Sequence, residues 1–195
     1  MFNLNLENYS ENVKSLPKDG QRIIGSIYNK LELEKDSSTG NTKEVPKEYI
    51  VVYQAYKPSI ANYAVENQKL GGPDFSYSRM SWIKPNFLWM MYRCGWAEKL
   101  DQERVLTIWI SKEVFESILE NATFTSFQSK YFDSEMEWRK ELEIKKVRLQ
   151  WDPDHDYKGN KLERRAIQLG LKDEILENLV VLLKIFTQQG FQYED

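Results

Sequence analysis

Apolar positions along the chain fall into short runs that predict a mixture of strands and helices. The run Tyr49–Tyr56 is almost continuously apolar, which is typical of a central strand that is buried on both faces. Arg104–Ile110 predicts a second strong strand, and Arg22–Tyr28 has the β-branched content of a third. Val147–Trp151 and Ala166–Leu171 predict two further strands.

Helical signals alternate with these strands. A helix is predicted to begin at Pro58 and to end before Gly71, because proline suits a first helical turn and glycine suits the residue after a last one. A second helix follows Pro85, and Ser111 can cap a third. The segment Ser134–Glu137 has the residue types of a capping box, which predicts a fourth helix.

The C-terminal segment predicts a last helix that begins at Asp173 and stops at Gly190. Its apolar residues recur at helical spacing: Leu176, Leu179, Leu183 and Phe186. Strands and helices therefore interleave irregularly along the chain. This order favours an α+β fold with a mixed or antiparallel central sheet and flanking helices.

The length of 195 residues and the hydrophobic content of 41% fit one domain. Residues 1–17 lack firm periodicity and predict an N-terminal arm, so that residues 18–195 form a single α+β domain. Within that domain, the turn-forming residues 36–42 predict a hairpin insertion at about 29–48.

Composition narrows the class of protein further. Cys94 is the only cysteine, so an intramolecular disulfide is impossible, as expected in a reducing compartment. No signal-peptide pattern and no apolar run of ~20 residues is present, so we expect a cytoplasmic protein without a membrane partner. The formal net charge of −3 disfavours a protein that coats nucleic acid non-specifically, because such proteins need excess cations.

The richest candidate chemistry lies between Phe75 and Trp96, where aromatic and cationic residues alternate. Aromatic rings offer flat surfaces to bases or nicotinamide, and neighbouring cations bind phosphates. The cations of this segment are Arg79, Lys84 and Arg93. The alternative interpretation is an ordinary core helix in which Trp and Met fill the interior and the cations reach out to solvent.

Two polar residues flank the strong strands. Gln54 lies near the end of the first strand, where an unpaired buried amide would cost ~1–3 kcal/mol, so it needs a partner from the protein or from a ligand. Glu103 directly precedes the second strand and could orient a sugar hydroxyl or act as a base. A solvated turn is the alternative for Glu103.

The segment Trp151–Asp156 combines the only histidine, His155, with three aspartates at alternate positions. It partly imitates a calcium-binding loop, but Tyr157 stands where that loop requires glycine. We therefore interpret the segment as an acidic surface turn, while a metal site or a share in the functional site stays open. Glycine-rich nucleotide loops, zinc-finger spacing and the His-Glu-x-x-His motif are absent from the sequence.

Five segments in a fixed order resemble a known family. They are Val52–Ala61, Arg79–Trp96, Gln102–Leu106, Val147–Pro153 and Arg165–Leu171. On these motifs the chain is identified as a member of the domain-of-unknown-function 4291 family, with a resemblance that covers residues 18–185. Cys94 stands where serine is expected in the family, which argues against a role for its thiol.

The order of elements is also similar, more loosely, to the ADP-ribosyltransferase superfamily. In that superfamily a polar strand-end residue holds the nicotinamide ribose or phosphates, aromatic rings stack on nicotinamide, and a late Glu or Gln positions the acceptor. The resemblance implies NAD as a co-substrate, no metal, and catalytic roles for Gln54, Glu103 and Gln168. The implied cofactor-binding residues are Tyr53, Tyr56, Arg79, Trp82, Lys84, Tyr92 and Arg93.

The resulting prediction is an NAD-dependent ADP-ribosyltransferase-like enzyme that cleaves the nicotinamide glycosidic bond. Its partners would be a nucleotide-type small molecule and a protein or nucleic-acid acceptor. Two alternatives stay open: a protein that binds or processes RNA or nucleotides with the same aromatic and cationic wall, and a non-enzymatic interaction domain. The last alternative predicts aromatics that pack internally or form an exposed apolar patch rather than line a polar cleft.

Overall fold

The computed structural model describes residues 22–23, 27–35, 42–179 and 182–186, so the predicted arm at 1–17 lies outside the described residues. Strands and helices alternate along these ranges. In chain order they are β1 (Arg22–Ile23), β2 (Ile27–Lys35), β3 (Thr42–Tyr56), α1 (Pro58–Asn67), β4 (Ser81–Ile83), α2 (Phe87–Arg93), β5 (Arg104–Ser111), α3 (Lys112–Glu120), β6 (Ala122–Phe124), α4 (Glu135–Ile144), β7 (Val147–His155), β8 (Lys161–Leu171), α5 (Asp173–Glu177) and β9 (Leu182–Phe186).

The strands divide into two sheets. The first has the order β2-β3-β5-β9 and is antiparallel throughout. The second has the order β1-β8-β7-β6, and β4 pairs with β8 beyond the short β1. In the second sheet β1 and β6 run parallel to their neighbours, and the other pairings are antiparallel. The α+β class predicted from the sequence is confirmed, with two sheets in place of one central sheet.

One apolar cluster joins the two sheets. Ile50, Val52 and Ile108 enter it from the first sheet, and Leu149 and Leu169 enter it from the second. Burying each of these side chains contributes ~1.5–3 kcal/mol relative to an exposed position. The cluster therefore fixes how the two sheets lie against each other.

The strand β3 lies between β2 and β5 and is covered on both faces, as its apolar run predicts. Side chains alternate between the faces of a strand, so Val52 reaches the main cluster while Ala55 reaches the other side. There Ala55 contacts a smaller cluster that includes Met90 and Cys94 on and after α2. The central position of β3 is confirmed, and the last residues of this strand can therefore contribute side chains to sites on both faces of the sheet.

Side chains cap several helices, as the sequence predicts. Ser111 accepts a hydrogen bond from the backbone of Val114 at 3.3 Å, and Ser134 accepts one from the backbone of Glu137 at 3.2 Å. Each of these bonds satisfies a backbone donor of a first helical turn that has no partner inside its helix. None of the helices in the described part of the chain is long and apolar enough to cross a membrane.

The prediction of a long C-terminal helix is wrong after Glu177. The helix α5 covers only Asp173–Glu177, and Leu182–Phe186 forms β9, which pairs antiparallel with β5. The backbone groups on that edge of β5 need hydrogen-bond partners, and β9 supplies them. A long-range pairing therefore outweighs the helical spacing of the leucines, because intrinsic propensity is a weak preference.

Two other predicted segments differ in detail. Arg22–Tyr28 supplies strands to both sheets, since β1 pairs with β8 and β2 pairs with β3, while residues 24–26 lie outside the described ranges. Within the predicted hairpin insertion at 29–48, the described residues 29–35 belong to β2 and 42–48 belong to the first half of β3. Their register runs from Ile27 opposite Ile50 to Lys35 opposite Thr42.

Candidate functional site

A cleft of about 710 Å³ is lined by residues of both sheets. The sheets are tied together beside it, because Tyr53 and Lys84 exchange backbone hydrogen bonds of 2.8 and 3.0 Å. This pair joins β3 of the first sheet to the residue that follows β4 of the second. The volume falls within the range of about 300–1,000 Å³ that is usual for small-molecule sites.

The end of β3 supplies one wall of the cleft. Gln54 donates through Nε2 to the carbonyl of Ala55 at 3.3 Å, but its buried Oε1 accepts no hydrogen bond from the described residues. The Tyr56 hydroxyl lies 2.9 Å from Oγ of Ser81 on β4. Burial raises the pKa of Tyr56 to about 12, against the smaller lowering effects of Ser81 and of the Arg79 charge. Tyr56 is therefore a neutral phenol at physiological pH, and Gln54 keeps a free acceptor.

The strands β7 and β8 supply the opposite wall. Gln150 and Gln168 are directly paired in the register of these strands, and both line the cleft together with Asp152. Gln150 donates to Oδ1 of Asp152 at 2.9 Å, while the buried Oδ2 of Asp152 accepts no hydrogen bond within the described residues. This wall therefore offers two amides and one carboxylate oxygen that are able to bind hydroxyl groups.

Lys84 lines the cleft and is only 4% exposed. Its Nζ donates to the carbonyl of Trp82 at 3.0 Å and lies 4.9 Å from the ring centroid of Trp89. No carboxylate among the described residues forms an ion pair with it. Burial, and secondarily the charge of Arg93, lower the pKa of Lys84 to about 7, although Asp152 and Cys94 act in the opposite direction. A substantial fraction of Lys84 is therefore an uncharged amine at neutral pH.

Two exposed arginines, Arg79 and Arg93, stand at the rim of the cleft. Neither guanidinium forms an ion pair with a carboxylate of the described residues. Lys57 also lines the cleft, but it is paired with Asp74 at 3.3 Å. The two guanidinium groups are thus available to an anionic ligand, for which their planar donor geometry is well suited.

Gly170 on β8 makes room for an aromatic wall. A Cβ at this position would lie 2.5 Å from Sδ of Met80 and 3.1 Å from the Trp82 ring. Trp82 pairs with Gly170 in the register of β4 and β8. The absence of a side chain at Gly170 therefore lets Met80 and Trp82 lie close to β8, where both line the cleft.

Most of the residues proposed from the sequence share this cleft, and three do not. Those that line it are Gln54, Tyr56, Arg79, Trp82, Lys84, Arg93 and Gln168. The ring of Tyr53 contacts Phe87 on the other face of β3, with 5.1 Å between ring centroids. The side chains of β3 alternate between its faces, so Tyr53 cannot lie on the same side as Gln54 and Tyr56.

Tyr92 and Glu103 are the other two residues outside the cleft lining. Tyr92 of α2 stacks on His155 of β7, with ring centroids 3.9 Å apart. Glu103 accepts a hydrogen bond from the backbone of Asp101 at 3.0 Å and so stabilises the loop before β5. The neighbours of Glu103, Asp101 and Gln102, line the cleft in its place.

The acidic segment after Trp151 is not the surface turn that its composition predicts. It belongs to β7, in which Asp152 lines the cleft and Asp154 is fully buried. Arg164 on β8 pairs with Asp154 and neutralises its charge. Only Asp156 takes a turn role, because it accepts hydrogen bonds from the backbone of Lys158 and Asn160.

The sequence did not single out Gln150 as a site residue, and it left open whether Asp152 belongs to the site. A signal was available, because polar residues occupy alternate positions of this strand, which places them on one face. Their neighbours Leu149 and Trp151 are apolar and belong to the main core or pack against it. Within the described ranges, no group of three or more His, Cys, Asp or Glu residues could hold a metal ion.

The fold and the cleft define a class: an α+β protein in which two joined sheets border a polar cleft with cations at its rim and rings in its wall. The family model described as "Domain of unknown function (DUF4291)" matches residues 42–185, so the chain belongs to that family. The family resemblance of the sequence motifs is thereby confirmed. No curated protein matches the chain.

Proposed function

We propose that the protein is an NAD-dependent ADP-ribosyltransferase-like enzyme that transfers ADP-ribose to a macromolecular acceptor. The observation that carries the proposal is the meeting of Gln54, Trp82 and Gln168 with the rim arginines in one cleft. These residues come from β3, β4, β8 and the segments around α2, which are far apart in the chain. Amides, rings and cations are groups that can bind the ribose hydroxyls, the bases and the phosphates of a dinucleotide.

The distribution of groups suits the parts of NAD. Arg79 and Arg93 offer charge-assisted hydrogen bonds to the pyrophosphate. Phe75 and Trp82 offer ring faces to the nicotinamide or adenine, and the wall amides offer partners to ribose hydroxyls. The carboxylates Asp74, Asp101 and Asp152 also line the cleft, which favours a small ligand over a long, uniformly anionic RNA strand.

The chemistry would be the cleavage of the bond between ribose C1 and the nicotinamide nitrogen. The bonding electron pair leaves with nicotinamide, positive charge develops on the ribose, and an acceptor nucleophile then bonds to C1. Asp152 and the free Oε1 of Gln54 place negative charge and an acceptor dipole in the wall of the cleft, on oxygen atoms that are themselves buried. Such fixed charges stabilise a cationic transition state more strongly than water does.

The test is binding and turnover of NAD that carries its label on the adenosine side. The expected results are saturable binding, release of nicotinamide and transfer of label. Arg93→Ala should weaken binding by about 10- to 100-fold, because a hydrogen bond to a charged group contributes about 1.5–3 kcal/mol. Gln54→Ala should weaken it less, because an amide is uncharged.

Arg139→Ala is the matched control, since Arg139 is an exposed arginine of α4 that pairs with Glu135 and does not line the cleft. This variant should bind NAD as the unmodified chain does. Absence of binding at millimolar NAD would end the proposal. Salt-sensitive binding of single-stranded RNA that depends on Trp82 would replace it with the RNA-binding alternative.

A further inference from the structure

Among the lysines whose side chains the structure describes, Lys84 alone is buried, and it is buried in the wall of the cleft. A structural lysine at such a site would have a carboxylate partner, because an unpaired buried charge is strongly destabilising. Lys84 instead donates one hydrogen bond to a backbone carbonyl, that of Trp82. Its amine is therefore held at the cleft without being neutralised by an ion pair.

We propose that the Lys84 amine captures the aldehyde of a ring-opened, phosphorylated sugar as an imine. This activity goes beyond the proposed transfer of ADP-ribose and does not require that NAD be cleaved. The ligand class follows from the surroundings of the amine, which combine hydroxyl-binding amides with arginines for a phosphate.

The reactivity of Lys84 follows from its position. Only an uncharged amine has the electron pair needed to attack a carbonyl carbon, and enzymes obtain one by desolvating a lysine or by placing a second cation beside it. Lys84 meets both conditions, because it is buried and because the positive charge of Arg93 disfavours protonation of its amine. Together they lower the pKa of Lys84 to about 7.

The polar groups around the amine match the rest of such a substrate. Oδ2 of Asp152 is buried without a partner among the described residues and can pass a proton to or from the reacting oxygen. Gln54 and Gln168 can bind sugar hydroxyls, and the exposed Arg79 can bind the phosphate.

The reaction balances without an oxidant, a reductant or a metal. The lone pair of the amine forms a carbon–nitrogen bond, the carbonyl π pair moves to oxygen, and a proton shift gives a neutral carbinolamine. Protonation of the hydroxyl then allows water to leave while the nitrogen lone pair forms the double bond, and the resulting protonated imine returns that proton to the group that supplied it. An amine and an aldehyde thus become an imine and one water, and hydrolysis reverses the process.

Reductive trapping tests this inference on the full, unmodified chain. The protein is incubated with ribose 5-phosphate and sodium cyanoborohydride, which reduces an imine to a stable secondary amine, and labelled peptides are quantified by mass spectrometry. Lys84 should be labelled at least about tenfold faster than the exposed Lys99, because the lowered pKa of Lys84, about 7, leaves much of its amine uncharged at pH 7. Labelling of Lys84 no faster than Lys99 would overturn the proposal.

The pH profile and one variant separate capture from adventitious glycation. The rate at Lys84 should level off above about pH 7, whereas a free Nα-acetyl-lysine in the same tube should keep rising toward pH 10. Asp152→Asn should slow labelling of Lys84 by about tenfold or more without changing the labelling of Lys99, since a positioned acid–base group contributes about 10²–10⁴-fold. A Lys84 rate that follows the free amine across the pH range would sink the proposal.

The sugar phosphate is tested by comparison with ribose itself. Ribose 5-phosphate should label Lys84 faster than ribose does, and Arg79→Ala should remove most of that difference. Equal rates for the two sugars would overturn the assignment to phosphorylated substrates. Because no NAD is present, success or failure here is independent of the NAD-binding test above.

Discussion

Two neighbouring aspartates of strand β7, Asp154 and Asp152, differ in how their buried oxygens are paired. At the hairpin end, next to β8, Asp154 is fully buried, pairs with Arg164 and accepts a hydrogen bond from the backbone of His155 at 2.8 Å. At the cleft, two residues earlier, Oδ2 of Asp152 has no hydrogen-bond partner among the described residues. The amine of Lys84 likewise has no carboxylate partner there. The same strand thus carries one satisfied and one unsatisfied carboxylate.

This difference separates a structural charge from a candidate functional one. A buried ion pair with all its hydrogen bonds made has no capacity left for a ligand. A buried group with an unused acceptor or a lowered pKa reduces the stability of the fold, and such groups concentrate at binding and catalytic sites. The comparison predicts that variants of the ion pair at the hairpin end lose stability, while variants of Asp152 at the cleft lose ligand chemistry.

The largest effect is expected for Arg164→Met. Loss of the guanidinium leaves Asp154 as a buried, unpaired charge, which costs about 3–5 kcal/mol in the free energy of unfolding. Chemical denaturation monitored by tryptophan fluorescence measures this loss. A loss of less than about 1 kcal/mol would show that the hairpin end does not depend on its ion pair.

Lys84→Met should instead raise the free energy of unfolding, because it removes a buried amine and keeps an apolar side chain of similar length. The pKa of Lys84 is about 7 in the folded protein, against 10.5 for an ordinary solvated lysine, so protonation of Lys84 in the folded state is disfavoured between these values. The unfolded state then binds more protons, and the stability of the unmodified chain rises as pH increases from 7 toward 10.

Below pH 7 Lys84 is protonated in both the folded and the unfolded state, so the folded state carries the full cost of burying the charged amine. The variant should therefore be more stable by about 2–4 kcal/mol at pH 6, and its advantage should shrink steadily toward pH 10. Tyr53 and Tyr56, whose pKa values burial raises to about 12, reduce stability above pH 10 in both proteins and cancel in the difference. Denaturation curves of both proteins at pH 6, 8 and 9.5 measure this difference in stability. A difference that does not change with pH would contradict the lowered pKa of Lys84.

Gly170→Ala should cost about 1–3 kcal/mol, because the new methyl group overlaps Met80 and the Trp82 ring in the cleft wall. The same displacement should weaken binding of any ligand that contacts Trp82. In the double variant Gly170→Ala with Met80→Ala, the added methyl group should cost less, since its shortest contact, 2.5 Å to Sδ of Met80, is gone. An unchanged cost would mean that Met80 does not cause the strain.

Asp152→Asn should have the smallest effect on stability, below about 1 kcal/mol, because its side-chain oxygen can still accept from Gln150. Turnover of labelled NAD should nevertheless fall by more than tenfold, since the charge facing the cleft is lost. Normal turnover together with a stability loss as large as that of Arg164→Met would remove the distinction between Asp152 and Asp154.

Local patterns were sufficient for the main strands, for the helix caps and for much of the cleft. The continuous apolar run before Gln54 and the serines at helix starts act over a few residues, so the sequence alone predicts them. The aromatic and cationic segment from Phe75 to Trp96 directly precedes β5, which pairs with β3. Proximity along the chain therefore brought Arg79, Trp82 and Lys84 close to the end of β3.

Contacts between distant segments decided the rest. The leucines after Asp173 have a helical spacing, but the open edge of β5 makes the last of them a strand. The composition after Trp151 predicts acidic residues in solvent. Pairing of this segment with β8 instead places Asp152 at the cleft and Asp154 next to Arg164. Sequence spacing determines which face of an element a side chain shares with its neighbours, whereas only the partner element determines whether that face meets solvent, core or cleft.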